Sequence, residues 1–575
     1  MKNSTVFAIL NASDCRSSGV QAEENKSQNI FKKAKKNKQT KSCFKHTFFS
    51  HRFIKKSVLA LCLLINLCFM FYWCSQKQGW FLDEAFSYAQ SNYISSSEDV
   101  WKDIPDFDSD KVCQSHDGIK DFLTVQPDER FSLQKLQNNL IAHPPLFYII
   151  FHSIHSFFPN IFSKWIGLWF NLFIFAFTQM IFYALACRFL SNKKALLPVV
   201  LYGFSVAAIC SVVFVRSYML FVFETVLLCL IALEFLANQK KHRPLKKLLF
   251  AFCLTLFCGC ITHYYFIITA FVLCAGMCVI LLMRKAYQTL TVFSISTILT
   301  VFLCPCLFPV MIKHLFYYER SIESSVLPML NRNISDGNFS LSVWNNFINT
   351  DFFAHVFPHG FNWSLWALVA ALIWGFICIV RKKINSEIAL LSAVLVFSVL
   401  IISAIMPLDV KRYFFHLAPI FVLLLFLAVD QITKKLKFSV IWQSVLVFVC
   451  LYFDLKSPNF EHYLYNRNTL QGSYAQSLQN KTLYIKWIHS AHRWRMNIPA
   501  LYSFSAAKHI VFDNFDNECY QKLMADKKAL KNAALMAAYY IDEVGCENIK
   551  GWFLYFTDGI ACAYLPEQQG ETSEE

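Results

Sequence analysis

Charged residues are scarce in this chain of 575 residues, because Asp, Glu, Lys and Arg together make up only 16% of it. Hydrophobic residues account for 56% and aromatic residues for 17%. An ordinary soluble domain has about a quarter of its residues charged. This composition therefore excludes a soluble globular protein and indicates a membrane protein.

Glycine is scarce as well, with 15 residues in the whole chain. None of them belongs to a G-x-G-x-x-G or P-loop motif, in which glycines let the backbone approach the phosphates of a nucleotide. The sequence therefore offers no site for a nucleotide held by either loop.

A secretory signal is also missing, since the first apolar run begins at Ser57 behind a polar leader. The leader, residues 1–56, holds 13 Lys and Arg against 3 Asp and Glu. A nucleic-acid-binding tail would also be basic, but beside a membrane helix such a segment is typical of a cytoplasmic anchor near anionic lipid. We predict a disordered cytoplasmic leader over 1–56 and no nucleic-acid partner.

Eleven apolar runs approach the ~20 residues that cross roughly 30 Å of hydrocarbon. They lie near 57–75, 165–187, 195–215, 218–237, 248–263, 264–283, 289–312, 362–380, 387–406, 413–430 and 438–453. With a cytoplasmic leader, the links predicted inside are "CRFLSNKK", "NQKKHRPLKK", "MRKAYQ", "RKKINSE" and "TKKLK". All five are basic, as the positive-inside rule requires. The prediction is an all-α polytopic membrane protein of about 11 transmembrane helices, with its N-terminus inside and its C-terminus outside.

The same alternation predicts a transmembrane domain over 57–453 and two external regions. The first is the loop 76–164, whose residues 76–143 carry 12 acidic against 6 basic residues. The second is a small α/β domain over 454–575 with a disordered tail. In it "TLYIKWI", "HIVFDNF" and "GWFLYFTDGIACAYL" favour strands, and "YQKLMADKKALKNAALMAAYYIDEV" favours a helix.

Cysteine use gives no metal site. Of the 21 cysteines, 15 lie in apolar runs, where a thiol usually behaves as a small hydrophobe. Cys519, Cys546 and Cys562 belong to the external C-terminal region, where an oxidising periplasm would allow one disulfide. The sequence leaves its pairing undecided.

The run "HPPLFYIIFHSIHSFFPN" is predicted to lie at the membrane surface instead of crossing, because a crossing would invert the five basic links. Pro144 and Pro145 suit a helix start, which places an interfacial helix near 144–158. One polar stripe of Tyr148, His152, His155 and Ser156 follows at helical spacing. We interpret the stripe as the wet side of the helix, with metal ligation by the two histidines as the less favoured interpretation.

Asp83 and Glu84 stand in "GWFLDEAFSYAQ", where the first span has just surfaced. In an acidic loop such a pair is often only solvated. These two acids, however, lie among aromatic and aliphatic residues, outside the strongly acidic run "DIPDFDSD". That position favours a general base held at the membrane surface.

Other polar groups are predicted at the same outer edge. Arg216, between the third and fourth spans, suits a phosphate because guanidinium matches phosphate oxygens bidentately, although simple anchoring is an equal alternative. Glu224 lies one or two turns deeper, as a functional acid or a structural hydrogen-bonding group. Further candidates stand in "THYYF" and "LDVKRYFFH", namely His263, Tyr264, Tyr265, Lys411, Arg412 and Tyr413.

Five segments in this order resemble the GT-C membrane glycosyltransferases: "FLDEAFSYAQ", "HPPLFYIIFH", "VRSYMLFVFETVLLCLIALEF", "THYYFIITAFVLC" and "KRYFFHLAPIFVLLLF". The resemblance covers roughly residues 57–435. It is strongest to the bacterial branch similar to protein mannosyltransferases and the lipid A aminoarabinose transferase. Enzymes of this family transfer a sugar, with inversion, from a polyprenyl-phosphate carrier to an acceptor on the outer side of the membrane.

The resemblance implies roles for individual residues. Asp83 matches the catalytic carboxylate of the first loop, with Glu84 supporting it, and His143 matches a position near the donor phosphate. Arg216 and Tyr218 match the Arg and Tyr of the second external loop. Phosphate or substrate contacts are expected of His143, Arg216, Tyr218, His263, Tyr264, Arg412 and Tyr413.

Two departures from the family limit what the resemblance implies. Relatives often have an acid shortly before the Arg matched by Arg216, where this chain has Phe214 and Val215. Aminoarabinose transferases have Arg where this chain has Phe86. A second catalytic acid and an aminoarabinose donor are therefore not assigned.

The sequence thus predicts a glycosyltransferase of the inner (plasma) membrane, with its catalytic face periplasmic. Its expected partners are a polyprenyl-phosphate-linked hexose or pentose, an envelope acceptor (glycolipid, polysaccharide or protein) and the lipid bilayer. A divalent cation assists some family members, but no ligand set is persuasive here. A flippase or transporter of lipid-linked sugars is the main alternative, and a non-catalytic assembly protein a third.

Overall fold

A computed structural model describes the residues in the following ranges: 57–77, 82–92, 113–115, 123–132, 144–309, 311–312, 385–405, 411–434, 436–454, 481–486, 509–513, 525–526, 533–538, 552–557 and 561–566. The chain forms two compact units, Met1–Leu61 and Cys62–Glu575. Every candidate site residue belongs to the second unit. The leader 1–56, the predicted span 362–380 and His143 fall outside the described residues.

The described helices are, in chain order, α1 Ser57–Gln76, α2 Leu82–Asn92, α3 Leu146–His155, α4 Lys164–Cys187, α5 Leu196–Phe204, α6 Val206–Val213, α7 Tyr218–Lys240, α8 Lys246–Cys260, α9 Tyr264–Met283, α10 Tyr287–Leu307, α11 Ser386–Ile405, α12 Ala418–Thr433 and α13 Ser439–Asp454. A 3₁₀ helix, Lys411–Leu417, leads into α12. Of the described helices, seven are long and apolar enough to cross a membrane, and the bent pair α5 and α6 gives an eighth. The prediction of a polytopic helical membrane protein is confirmed.

Three predicted spans differ in detail from the helices found. The run 195–215 is two helices, α5 and α6, bent by 58° at Ser205. Ser205 has an extended backbone, and its hydroxyl accepts a hydrogen bond from the Ala208 N–H as the cap of α6, so the first helix stops there. The runs 248–263 and 438–453 correspond to α8 and α13, of 15 and 16 residues. No count of eleven follows from the described part of the chain.

The helix predicted near 144–158 is α3, and Pro145 stands at its N-cap as expected. Its polar stripe does not face water. Tyr148, His152, His155 and Ser156 are all buried, because α3 packs on α2 and on the segment 123–132. His152 Nδ1 lies 2.8 Å from the Ser91 carbonyl oxygen, and the Ser156 hydroxyl accepts from the Phe131 N–H. Our interpretation of a wet stripe is therefore wrong.

Six strands form one sheet: β1 Cys113–Ser115, β2 Thr482–Lys486, β3 His509–Asp513, β4 Ala533–Ala538, β5 Trp552–Thr557 and β6 Ala561–Pro566. Their order is β1-β3-β2-β4-β6-β5, with β2 parallel to β3 and β4 and the remaining pairs antiparallel. The predicted strands correspond to β2, β3, β5 and β6. β4, however, lies inside the segment predicted as a helix, because its alanine-rich sequence pairs with two strands and tertiary context overrides helix propensity.

The sheet also constrains the membrane topology. β1 belongs to the loop 76–164, which the sequence predicts to be external, and pairs with β3 of the C-terminal region, from Cys113 opposite Val511 to Ser115 opposite His509. Two hydrogen-bonded strands must lie on the same side of a bilayer, so the chain between them crosses the membrane an even number of times. The ten spans predicted between them satisfy that requirement.

The edge of the bundle where α4, α7 and α12 end is held by side-chain ion pairs. Arg188 pairs with Glu234 at the end of α7 and, at 3.1 Å, with Glu387 at the start of α11. Lys194 pairs with Asp430 near the end of α12. Glu234 is thus part of an ion-pair group.

Candidate active site

The two adjacent carboxylates lie in the first turn of α2, the helix that follows the first span. The N-terminal end of a helix carries partial positive charge from its unpaired N–H groups, so acids are favourable there. Asp83 retains 17% side-chain exposure, whereas Glu84 is completely buried. The two neighbours therefore have different environments and different partners.

Asp83 is the exposed member and contacts two arginines. Its Oδ2 lies 2.7 Å from Arg412 Nη2 in an ion pair. Its backbone carbonyl accepts a 2.8 Å hydrogen bond from Arg216 Nη1. The carboxylate is thus held beside a cation, in a side chain that keeps part of its surface exposed.

Glu84 points inward and joins three elements. Its Oε2 lies 2.8 Å from Lys77 Nζ, just after the end of α1, and its Oε1 accepts a 2.7 Å bond from the Val215 N–H. The supporting role that the resemblance implies for Glu84 would act through the backbone that carries both residues.

The turn between α6 and α7 carries Arg216 and is held from several sides. Asn171 of α4 donates from Nδ2 to the Val212 and Phe214 carbonyl oxygens, at 2.9 and 3.0 Å. Gly167 gives the turn room, because a Cβ there would stand 2.2 Å from Val215 Cγ1. Arg216 itself is only 8% exposed, so its side chain is largely buried in the protein.

Arg412, in the 3₁₀ helix before α12, is the more open arginine, with 19% side-chain exposure. Its Nε donates to the Tyr218 hydroxyl at 3.1 Å. Its guanidinium carbon lies 5.8 Å from the ring centre of Phe214 and 5.9 Å from that of Tyr413. Aromatic faces attract a cation electrostatically, so these rings help to fix the Arg412 guanidinium.

Aromatic rings continue from Arg412 to the start of α9. Tyr413 lies 4.5 Å from Tyr265 and 6.0 Å from His263 between ring centres. His263 is the N-cap of α9, accepting the Tyr265 N–H on Nδ1, and it stacks on Phe221. Burial, with Arg216 and Arg412 nearby, lowers the pKa of His263 to about 3, so this imidazole is neutral at physiological pH and supplies no cation for a phosphate.

The remaining predicted residues differ in how close they lie to Asp83 and Arg412. Tyr218 lies inside the group, through its bond to Arg412. Tyr264 is the first residue of α9, directly after His263. Glu224 is one step deeper and accepts a 2.9 Å bond from the Thr262 hydroxyl, which favours the structural interpretation of that acid.

Several residues at the site carry no sequence signal of their own. The sequence patterns gave no role at this site to Lys77, Ser87, Tyr148 or Asn171, and Phe214 was noted only as a departure from the family. Ser87 accepts a long 3.5 Å contact from Arg216, and Tyr148 is buried in α3. Helical spacing of Ser87 with Asp83 was the one available clue.

In the described ranges no group of three or more His, Cys, Asp or Glu residues is placed to hold a metal ion. His152 and His155 do not form such a group there. A divalent cation therefore has no candidate ligand set among these residues.

No protein-family model and no curated protein matches the chain. Solved structures are similar to it. ArnT from Cupriavidus metallidurans bound to undecaprenyl phosphate is 10% identical with a TM-score of 0.42, over 88% of this chain and 98% of that chain. The oligosaccharyltransferase AglB from Archaeoglobus fulgidus, with an inhibitory peptide and a dolichol-phosphate, is 12% identical with a TM-score of 0.41, over 85% and 69%. The oligosaccharyltransferase of the same organism in the apo form is 11% identical with a TM-score of 0.43, over 85% and 70%.

Proposed function

We propose that this protein is an integral membrane glycosyltransferase that moves a hexosyl or pentosyl group from a polyprenyl-phosphate carrier to an envelope acceptor on the outer face of the inner membrane. The observation that carries the proposal is the pairing of a partly exposed carboxylate, Asp83, with a partly exposed arginine, Arg412, where spans emerge. A lipid-phosphate donor keeps its tail in the bilayer and its phosphosugar at that same depth.

In the proposed reaction Asp83 accepts the proton of an acceptor hydroxyl as that oxygen attacks the anomeric carbon. The bond between the anomeric carbon and the phosphate oxygen breaks, and its electron pair leaves with the polyprenyl phosphate. Attack opposite the leaving group inverts the anomeric configuration. Proton removal and positioning are the main tasks, since a neutralised phosphate is a good leaving group.

Positive potential at this edge supports phosphate binding. Arg412 is a partly exposed cation of the type that binds phosphate oxygens, and Tyr218 and two aromatic faces orient it. Helices α7 and α9 both begin here, so the positive ends of their dipoles lie at the site. Arg216 adds charge from within while it holds α2 through the Asp83 carbonyl.

Positions of polar groups favour a transferase over a flippase. A transporter of lipid-linked sugars needs polar sites near the bilayer midplane. In the described spans the acid Glu224 is bonded to Thr262 close to the edge that carries the site. Arg216 and Arg412 lie at that same edge. Transfer at the surface therefore fits the described charges better.

Mass spectrometry of envelope glycolipids and glycoproteins tests the proposal in cells that carry the wild-type chain, Asp83→Asn or Asp430→Asn. Asp430 is the matched control, because it also pairs with a cation but at the opposite edge. We expect one sugar-modified species in the wild type and the control that is missing with Asp83→Asn. The same glycans in all three strains would overturn the role of Asp83, and flipping of the donor without its consumption would identify a flippase.

A further inference from the structure

A buried ion pair joins the end of the first span to α2. Lys77 Nζ and Glu84 Oε2 are 2.8 Å apart, and both side chains have no exposure to solvent. Burying two charges costs about as much as their attraction returns, so such pairs are weak sources of stability. The position of this pair in the hydrogen-bond network suggests a different use.

Two reciprocal hydrogen bonds connect α2 with the turn between α6 and α7. The Glu84 side chain accepts from the Val215 N–H at 2.7 Å. In the reverse direction, the Arg216 side chain donates to the Asp83 carbonyl at 2.8 Å. Because 83 and 84 are adjacent, as are 215 and 216, the two bonds fix the helix and the turn in one register.

Lys77 completes this arrangement from behind. Removing one partner of a buried ion pair leaves the other charge poorly compensated, which is strongly destabilising. Lys77 Nζ lies 2.8 Å from Glu84 Oε2, and charge-assisted contacts of this kind are shorter and stronger than neutral ones. Lys77 is itself fixed, since its carbonyl oxygen accepts from the Lys164 ammonium at the start of α4.

We propose that Lys77 is a positioning residue for the catalytic carboxylate: its ion pair holds the Glu84 side chain in place, and Glu84 then locks the Arg216 turn and α2 in the register that presents Asp83 to the acceptor. This inference rests on the proposed function for its catalytic consequence. Its structural part, the lock between α2 and the turn, stands on the described contacts alone.

The test compares three variants in purified protein: Lys77→Met, the double variant Lys77→Met with Glu84→Gln, and Lys194→Met. In the first, Glu84 loses its ion pair with Lys77. In the second, a neutral amide can still accept from the Val215 N–H. The third removes a lysine from an ion pair at the opposite edge and is the matched control.

We expect Lys77→Met to lower kcat by about a hundredfold, the cost of displacing a catalytic group by roughly 1 Å, with a smaller change in KM for the donor. The double variant should recover to within about tenfold of wild type, and Lys194→Met should keep the wild-type kcat.

Hydrogen exchange over residues 213–217 gives a readout that does not depend on activity. Exchange there should accelerate in Lys77→Met and return towards the wild-type rate in the double variant. If the wild type transfers no sugar, the proposed function fails while the exchange pattern still tests the lock. Equal exchange in wild type and Lys77→Met, or a double variant no better than the single one, would overturn the role of Lys77.

Discussion

Charged side chains at the two edges of the helical bundle are used differently. At the edge where α4, α7 and α12 end, Arg188 forms ion pairs with both Glu234 and Glu387. These two acids keep 43% and 20% side-chain exposure. At the opposite edge the arginine Arg216 and the acid Glu84 also bond to the backbone, and Glu84 is wholly buried. The first arrangement ties helices together, whereas the second orients particular atoms.

Removal of an arginine should lower activity far more at the site than at the opposite edge. Arg412→Ala takes away the partly exposed cation beside Asp83 and should lower kcat/KM for the donor by about 10² to 10³, as expected for loss of a group that stabilises developing charge. Arg188→Ala, at the other edge, is the matched change. Steady-state kinetics with a polyprenyl-phosphate sugar measure kcat/KM for both variants. Equal losses would contradict the different roles of charge at the two edges.

A packing change beside the site should lower activity more than a similar packing change elsewhere in the bundle. Gly167→Ala would place a Cβ 2.2 Å from Val215 Cγ1 and push the turn that carries Arg216. Gly276→Ala creates a similar 2.4 Å contact with Leu390 inside the bundle. We expect Gly167→Ala to lower kcat by about tenfold and Gly276→Ala to affect mainly thermal stability. A normal kcat for Gly167→Ala would show that the turn tolerates displacement.

One variant is expected to bind polyprenyl phosphate more tightly than the wild type, because Asp83 and the donor phosphate compete for Arg412. In the structure Asp83 occupies Arg412 through an ion pair, so donor phosphate has to share or displace it. Asp83→Asn should therefore bind polyprenyl phosphate about two- to fivefold more tightly, the range expected for a partly exposed pair, although it loses activity. Titration of the purified variant with polyprenyl phosphate measures this, and weaker binding would place the phosphate away from Arg412.

The smallest effect is expected at the edge held by Arg188. Arg188→Gln removes two partly exposed ion pairs, each worth about 1 kcal/mol or less. Turnover per folded molecule should be unchanged, while the thermal unfolding midpoint falls by a few degrees. Turnover that falls more than the folded fraction would mean that this edge also shapes the site.

The helical architecture was predictable because hydrophobic length and the charges of short links report directly on membrane crossing. The bend at Ser205 was not, because one capping hydroxyl interrupts an otherwise apolar run. β4 was missed for a related reason, since alanines favour a helix unless neighbouring strands pair with them. Both errors come from contacts that a local pattern does not contain.

At the site, sequence motifs indicated the residue types but not their pairing. Asp83, Arg216 and Arg412 come from three distant segments, and only the fold brings them together. Lys77 was unnoticed because one lysine in a loop has no periodic signal, although its burial sets it apart. The wet side assigned to His152 and His155 was wrong because the segment 123–132 covers that face of α3.

Sugar transfer by purified protein in lipid bilayers tests the central claim most directly. A polyprenyl-phosphate sugar pool and an envelope extract are incubated with wild type, Asp83→Asn or Asp430→Asn, and released polyprenyl phosphate is measured. We predict release with wild type and Asp430→Asn and a loss of about 10² to 10⁴ in rate with Asp83→Asn, the range for general base catalysis. Release by Asp83→Asn at the wild-type rate would contradict the account.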